Sequence, residues 1–230
     1  MKNFVKSFGI IALAAVIGFS MTACGDNGNG DGLESGVCKV LDNRTRLEFS
    51  GQVYEESYSD TGSYYEKFTG DLEIIEYLGG SGEIINGKLN YSIGVPDNSD
   101  LINFSYLTYN TDLFYDYDYL GCSDNGAKFA VIEYLVLDCY DYYMIARNKW
   151  TIKTNAETYE GVTFIYADRN VTLSADGKIE NHPAGFTMVI EDLELVLLKG
   201  WNTVYIKKEY SANGKVTTTL GNPSLLWTIQ

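Results

Sequence analysis

The sequence predicts an all-β fold over residues 45–230, an antiparallel β-sandwich with a β-barrel as the alternative. Three observations carry this. Apolar residues alternate with polar ones in short runs, Asn-Gly or Asp-Gly pairs recur between the runs, and only 3 Pro occur in 230 residues, so little interrupts strand pairing. No stretch after residue 44 has the apolar stripe of an amphipathic helix. No linker or internal repeat divides this region, and one domain is the economical count.

Composition narrows the function classes. With 31 acidic against 17 basic residues the net charge is −14, which would repel nucleic acid. An apolar content of 45% is ample for a buried core. One His and four scattered Cys leave neither a multi-histidine site nor a zinc ribbon, and no cofactor is expected.

Lys2 and Lys6 form a short basic region and Phe8 to Phe19 an apolar one. Met21-Thr22-Ala23-Cys24 follows, and then a run of Gly, Asn and Asp. A basic start, a short apolar core and small residues before a cut site describe a signal peptide over residues 1–23. The Cys placed directly after the small residues resembles the lipobox of bacterial lipoproteins. Met21 stands where that family prefers Leu, at similar size and apolarity. The resemblance implies cleavage before Cys24 and acylation of its thiol, so that Cys24 anchors the chain to a membrane. A retained transmembrane helix fits less well, because Lys6 and Ser7 interrupt the apolar run. Residues 1–23 hold two of the 17 basic and none of the 31 acidic residues, so the mature chain is more acidic still.

The segment 24–44 reads as the lipidated Cys and a flexible tether, since residues 25–36 bring too little apolar surface to fold. Asn27, Asn29, Asp31 and Gly32 match the opening of a calcium-binding loop, but the twelfth position, which requires Glu, is Cys38. The tether reading is preferred.

Leu47, Phe49 and Val53 alternate with Glu48, Ser50 and Gln52, and Leu89, Tyr91, Ile93 and Val95 alternate with Lys88, Asn90, Ser92 and Gly94. Each run is a half-buried strand. Asn86-Gly87, Asn125-Gly126, Asp176-Gly177 and Asn213-Gly214 supply the positive φ angles of hairpin turns. Asn213-Gly214 is the best placed, between Val204–Tyr210 and Lys215–Leu220. Phe129 to Leu137 is continuously apolar except at Glu133, and its Ile, Val and Tyr content favours one central strand over a buried helix. Taken as a single strand from Ala127 to Asp138, it would hold Cys122 and Cys139 too far apart to pair. Export favours oxidation, and Cys38 is then the better partner for one of them.

Gly80-Ser81-Gly82-Glu83-Ile84 through Val95, Thr163 to Val171, Leu198-Lys199-Gly200-Trp201-Asn202-Thr203-Val204-Tyr205 and Asn222-Pro223-Ser224-Leu225-Leu226-Trp227 together resemble a group of uncharacterised bacterial lipoproteins. The resemblance implies a single all-β domain ending in a Lys-Gly-Trp-Asn hairpin and a Trp-bearing last strand. It implies no activity.

Catalytic constellations are hard to assemble. His182, the single imidazole, lies in the turn composition Asn181-His182-Pro183-Ala184-Gly185, and no nucleophile elbow occurs. Gly79-Gly80-Ser81-Gly82 precedes no helix and is a loop rather than a phosphate cradle. A glycoside hydrolase acting through two carboxylates remains as the alternative function. The most unusual stretch is Asp112 to Leu120. As a strand it would place Leu113, Tyr115, Tyr117 and Tyr119 on one face and Asp112, Phe114, Asp116 and Asp118 on the other. Tyr115, Asp116, Tyr117, Asp118 and Tyr119 form the candidate binding surface, for a glycan or a protein, and the Asp row could hold a weak Ca²⁺. A solvated edge strand is the plainer reading. The expected protein is therefore a lipid-anchored component of the cell envelope, at the outer membrane or cell surface rather than the inner membrane, serving as a non-catalytic binding or surface-structure module.

Overall fold

The structure, a computed structural model, describes residues 33–59, 62–75, 77–108, 111, 114, 116–137, 143–147, 151–153, 156–181, 187–211, 213–220 and 226–229. Cys24, Tyr115, Cys139 and His182 lie outside them. In chain order the strands are β1 (Val37–Leu41), β2 (Arg46–Ser59), β3 (Gly62–Lys67), β4 (Leu72–Glu73), β5 (Ser81–Ile85), β6 (Lys88–Ile93) and β7 (Ile102–Asn103). After one short helix, α1 (Phe104–Leu107), come β8 (Gly121–Cys122), β9 (Lys128–Ile132), β10 (Leu135–Val136), β11 (Tyr143–Arg147), β12 (Thr151–Lys153) and β13 (Ala156–Ala167). The last are β14 (Val171–Ala175), β15 (Lys178–Asn181), β16 (Thr187–Ile190), β17 (Leu193–Leu197), β18 (Gly200–Ser211), β19 (Asn213–Leu220) and β20 (Leu226–Ile229).

These strands build an all-β, sandwich-like fold, and among the described residues no sheet closes into the alternative barrel. The backbone of the central sheet is the β13–β18 pair, antiparallel over its full length from Ala156–Ser211 to Ala167–Gly200. One face of that sheet packs on a smaller sheet of β1, β2, β6, β5 and β4; the other packs on β17, β14 and β8. Two cores result. Val162, Phe164 and Tyr166 of β13 join Leu47, Phe49, Tyr91 and Trp227 in the first. Ile165 and Ala167 join Leu173, Leu195, Leu197 and Val204 in the second. Burial on both faces explains why Thr163–Ala167 and Phe129–Ile132 read as apolar runs instead of alternating patterns.

β2 belongs to two sheets. Its first half pairs with β1 and β6, its second with β3 and, in parallel, with β20. The change of sheet falls at Gly51, whose φ of 130° suits a corner. There Gln52, expected on the solvent face, is buried. Its amide donates to the carbonyls of Val53, Phe68 and Gly87 at 2.8, 2.9 and 3.1 Å, which removes the desolvation penalty of that burial.

Several sequence expectations change. Residues 37–44, assigned to the tether, belong to the domain: β1 pairs with β2 from Val37–Ser50 to Leu41–Arg46, and Cys38 is buried. The run from Phe129 to Leu137 is two strands, broken at Glu133 and Tyr134, so the single extended strand and the cysteine separation built on it do not hold. Cys38 and Cys122 are both thiols, which overturns a Cys38–Cys122 bridge; Cys139 lies outside the described residues. Asn86-Gly87 is the hairpin turn expected, with φ of 48° and 71°, whereas Asp176-Gly177 carries the chain from one sheet to another. β18 and β19 form the expected hairpin, but Asn213 and Gly214 already lie within β19, paired with Thr187 and Met188.

Candidate functional site

The described residues of the Tyr/Asp stretch form no strand. Among its described residues Phe114, Tyr117 and Leu120 turn inward to the second core at a spacing of three, the period of a tight helical turn rather than of a strand. Asp116 is half-buried and its Oδ2 lies 2.5 Å from the Lys208 ammonium, itself half-buried. Asp118 reaches in the other direction to Lys178 at 2.6 Å. Of the four described candidate residues, Asp118 and Tyr119 stay at the surface, Tyr119 at 77% exposure, while Asp116 and Tyr117 go inward. The two carboxylates serve different cations and do not converge. Among the described residues no group of three acidic, Cys or His side chains is placed to hold a metal ion.

A second tyrosine surface was not singled out by sequence. Where the run from β9 to β10 breaks, Ile74, Ile75 and Tyr77 lie beside it. Ile74 bridges Leu137, the Ile75 amide donates to the Val136 carbonyl at 2.9 Å, and the Tyr77 hydroxyl donates to the Val131 carbonyl at 3.4 Å. Tyr77 and Tyr134 are 43% and 46% exposed, with Ile75 exposed beside them. Partial burial pushes the Tyr77 phenol up, and the nearby Asp100 and Glu133 carboxylates add to the shift. The phenol stays protonated, its proton given to the Val131 carbonyl and its oxygen left as an acceptor. Flat rings with carboxylates at their margin suit either a sugar ring or a cationic side chain. The signal in the sequence was Glu133, the one polar residue in an apolar run.

Two places bring acidic side chains close together, as a two-carboxylate hydrolase requires. Asp124 and Asp168 flank Arg169, whose guanidinium lies 3.1 and 2.9 Å from them. The Gly126 amide and Arg169 hold Asp124 below the usual carboxylate range. Burial opposes ionisation of Asp168, but Arg169 and the Lys128 amide outweigh it and hold Asp168 low as well. A general acid needs the opposite shift. At the β15–β16 hairpin an open depression of about 500 Å³ includes Glu191 and Asp192, yet Asp192 is occupied in accepting from the Gly177 amide at 2.7 Å.

The Lys-Gly-Trp-Asn turn is a structural lock. Asn202 is 1% exposed, and its amide group donates to the carbonyls of Leu198 and Gly200, both at 2.8 Å. Its Oδ1 accepts from the Leu198 amide at 3.0 Å, closing the turn between β17 and β18. The Trp201 indole donates to the Gly94 carbonyl at 2.7 Å.

No protein-family model matches the chain, and no curated protein or solved structure matches it. Among the described residues no helix is long and apolar enough to cross a membrane.

Proposed function

We propose that the protein is a lipid-anchored component of the cell envelope, held to the outer membrane or cell surface through Cys24, whose β domain is a non-catalytic binding module. The observation that carries the anchoring is the order of sequence signals: two lysines, a short apolar run, Met21-Thr22-Ala23-Cys24, and a Gly/Asn/Asp segment. The binding role draws support from the half-exposed Tyr77 and Tyr134 beside Glu133 and Asp100. The surface carboxylates Asp124 and Asp168, by contrast, are consumed in bracing Arg169.

The test is a glycan and basic-peptide array probed with the detergent-solubilised full chain, compared with Tyr77→Ala, Tyr134→Ala and the double variant. The proposal expects a ligand whose binding weakens about tenfold or more in the double variant, as removal of aromatic anchors from an interface does. A ligand bound equally by all four proteins would dismiss this face, and turnover of an arrayed glycan would dismiss the non-catalytic role.

A further inference from the structure

The place where the N-terminal segment meets the domain is built as a lock. The Glu34 amide donates to the Tyr54 hydroxyl at 2.6 Å, and its carboxylate joins Lys67 of β3 at 2.8 Å and Lys88 of β6 at 3.3 Å. Two residues on, Gly36 lies flat against Trp227: a Cβ there would come within 2.3 Å of the indole nitrogen. That indole is itself fixed, donating to the Ser50 carbonyl at 2.8 Å. The ion pairs are exposed and individually weak, but the buried Tyr54 and Trp227 leave the chain one point of exit.

At the far end of the first sheet is the opposite pole. Arg44, at the turn before β2, contacts Gly200 and Trp201 at the start of β18. From Arg46 to Tyr54 the path along β2, which turns at Gly51, is about 26 Å at roughly 3.3 Å per residue. The nine residues between Cys24 and Glu34 make ten steps, about 33–36 Å when fully extended but only about 16–19 Å on average as a Gly-rich coil. Turning the Arg44–Gly200 pole toward the bilayer would require those residues to stretch well beyond their average span to pass along the body.

We infer that the domain stands on the lipid surface with its Tyr54–Lys67–Lys88 pole inward and its Arg44–Gly200 pole outward. This rests on the proposed acylation of Cys24. It means that the turns carrying Lys199, Asn170 and Arg169 are the first surface met from outside.

The experiment uses the full acylated chain from a lipid-modifying bacterial host, reconstituted in phosphatidylcholine vesicles bearing a nitroxide-headgroup lipid. A fluorophore is placed by non-natural amino-acid incorporation at Thr69, beside the exit, or at Lys199, at the far pole. The expected result is co-flotation with vesicles, loss of fluorescence at Thr69 and no loss at Lys199. Inserting about twenty Gly/Ser residues between Gly30 and Asp31 is expected to abolish that difference, because a longer tether relaxes the constraint. Flotation with equal quenching at both sites, or more at Lys199, overturns the orientation and leaves the anchor standing. A difference that survives the insertion overturns tether length as its cause. Failure to float overturns the anchor and the orientation together.

Discussion

The Arg44 guanidinium donates to the main-chain carbonyl of Trp201 at 2.9 Å, joining residues 157 positions apart. Arg44 sits in a left-handed turn of three successive non-glycine residues, with φ of 50°, 54° and 69° at Asp42, Asn43 and Arg44. Such a turn costs roughly 1–2 kcal/mol per residue and persists only where neighbours hold it. Here the Asp42 carbonyl accepts from the Thr45 amide and hydroxyl, and Arg44 docks on the turn that carries the chain from β17 in one sheet to β18 in another. Two turns distant in sequence thus hold each other.

Asn202 is the polar centre of that arrangement. Asn202→Ala leaves the Leu198 and Gly200 carbonyls without their donor inside the fold, and the expected loss is about 2–3 kcal/mol. Urea unfolding should show a lower midpoint with an unchanged slope. Asn202→Asp should be worse than Ala, because it sets a carboxylate oxygen against two carbonyls; an Asp variant as stable as the wild type would remove the lock from the account.

Two glycines with positive φ separate strain from crowding. At Gly200, φ is 97° and a Cβ would lie 2.4 Å from the Arg44 carbonyl oxygen; at Gly79, φ is 71° and nothing lies within 4 Å. Gly79→Ala is expected to cost about 1 kcal/mol, from backbone strain alone. Gly200→Ala must also displace backbone and is expected to cost clearly more. Thermal melts of the two variants side by side decide it, and equal losses would contradict the close approach.

What the sequence made legible was the part governed by alternation and by Gly turns. The Leu89–Ile93 strand, the Asn86-Gly87 hairpin and the all-β class follow from local chemistry. The layering did not, because strands buried on both faces lose the alternation that marks orientation, and Val162–Ala167 and Phe129–Ile132 are such strands. β2 was legible as a strand, but nothing local tells that Gly51 carries it from one sheet to another. The Asp112–Leu120 stretch misled because tyrosine favours strands, whereas its described residues Phe114, Tyr117 and Leu120 turn inward at a period of three and Asp116 pairs with Lys208. Tyr77 and Tyr134 meet only through tertiary packing and had no signature beyond Glu133.

The Asp124–Arg169–Asp168 brace makes stability depend on pH in a defined direction. Both carboxyls titrate below their ordinary value when folded, so their contribution is present above the unfolded carboxyl range and is lost as pH falls through the folded values. Arg169→Met should therefore be less stable than the wild type at pH 7, and the difference should shrink below about pH 4. Urea midpoints at a series of pH values measure it; a difference that grows on acidification would reverse the assignment.

Cys38 lies in the first core, and burial pushes its thiol well up. It should resist alkylation in the native protein and react once the chain is unfolded. Peptide mapping without reduction should return no Cys38–Cys122 linked peptide; such a peptide would contradict the packing of β1.

Anchoring through Cys24 is the claim on which the functional account turns. Express the full chain in a bacterial host that modifies lipoproteins, and follow detergent phase partitioning of the wild type and Cys24→Ala, with intact mass of each. The account predicts a wild type that enters the detergent phase, lacks residues 1–23 and carries acyl mass on Cys24, beside a variant that stays in the aqueous phase. A wild type of unmodified mass, or a Cys24→Ala variant that still enters the detergent phase, would contradict it.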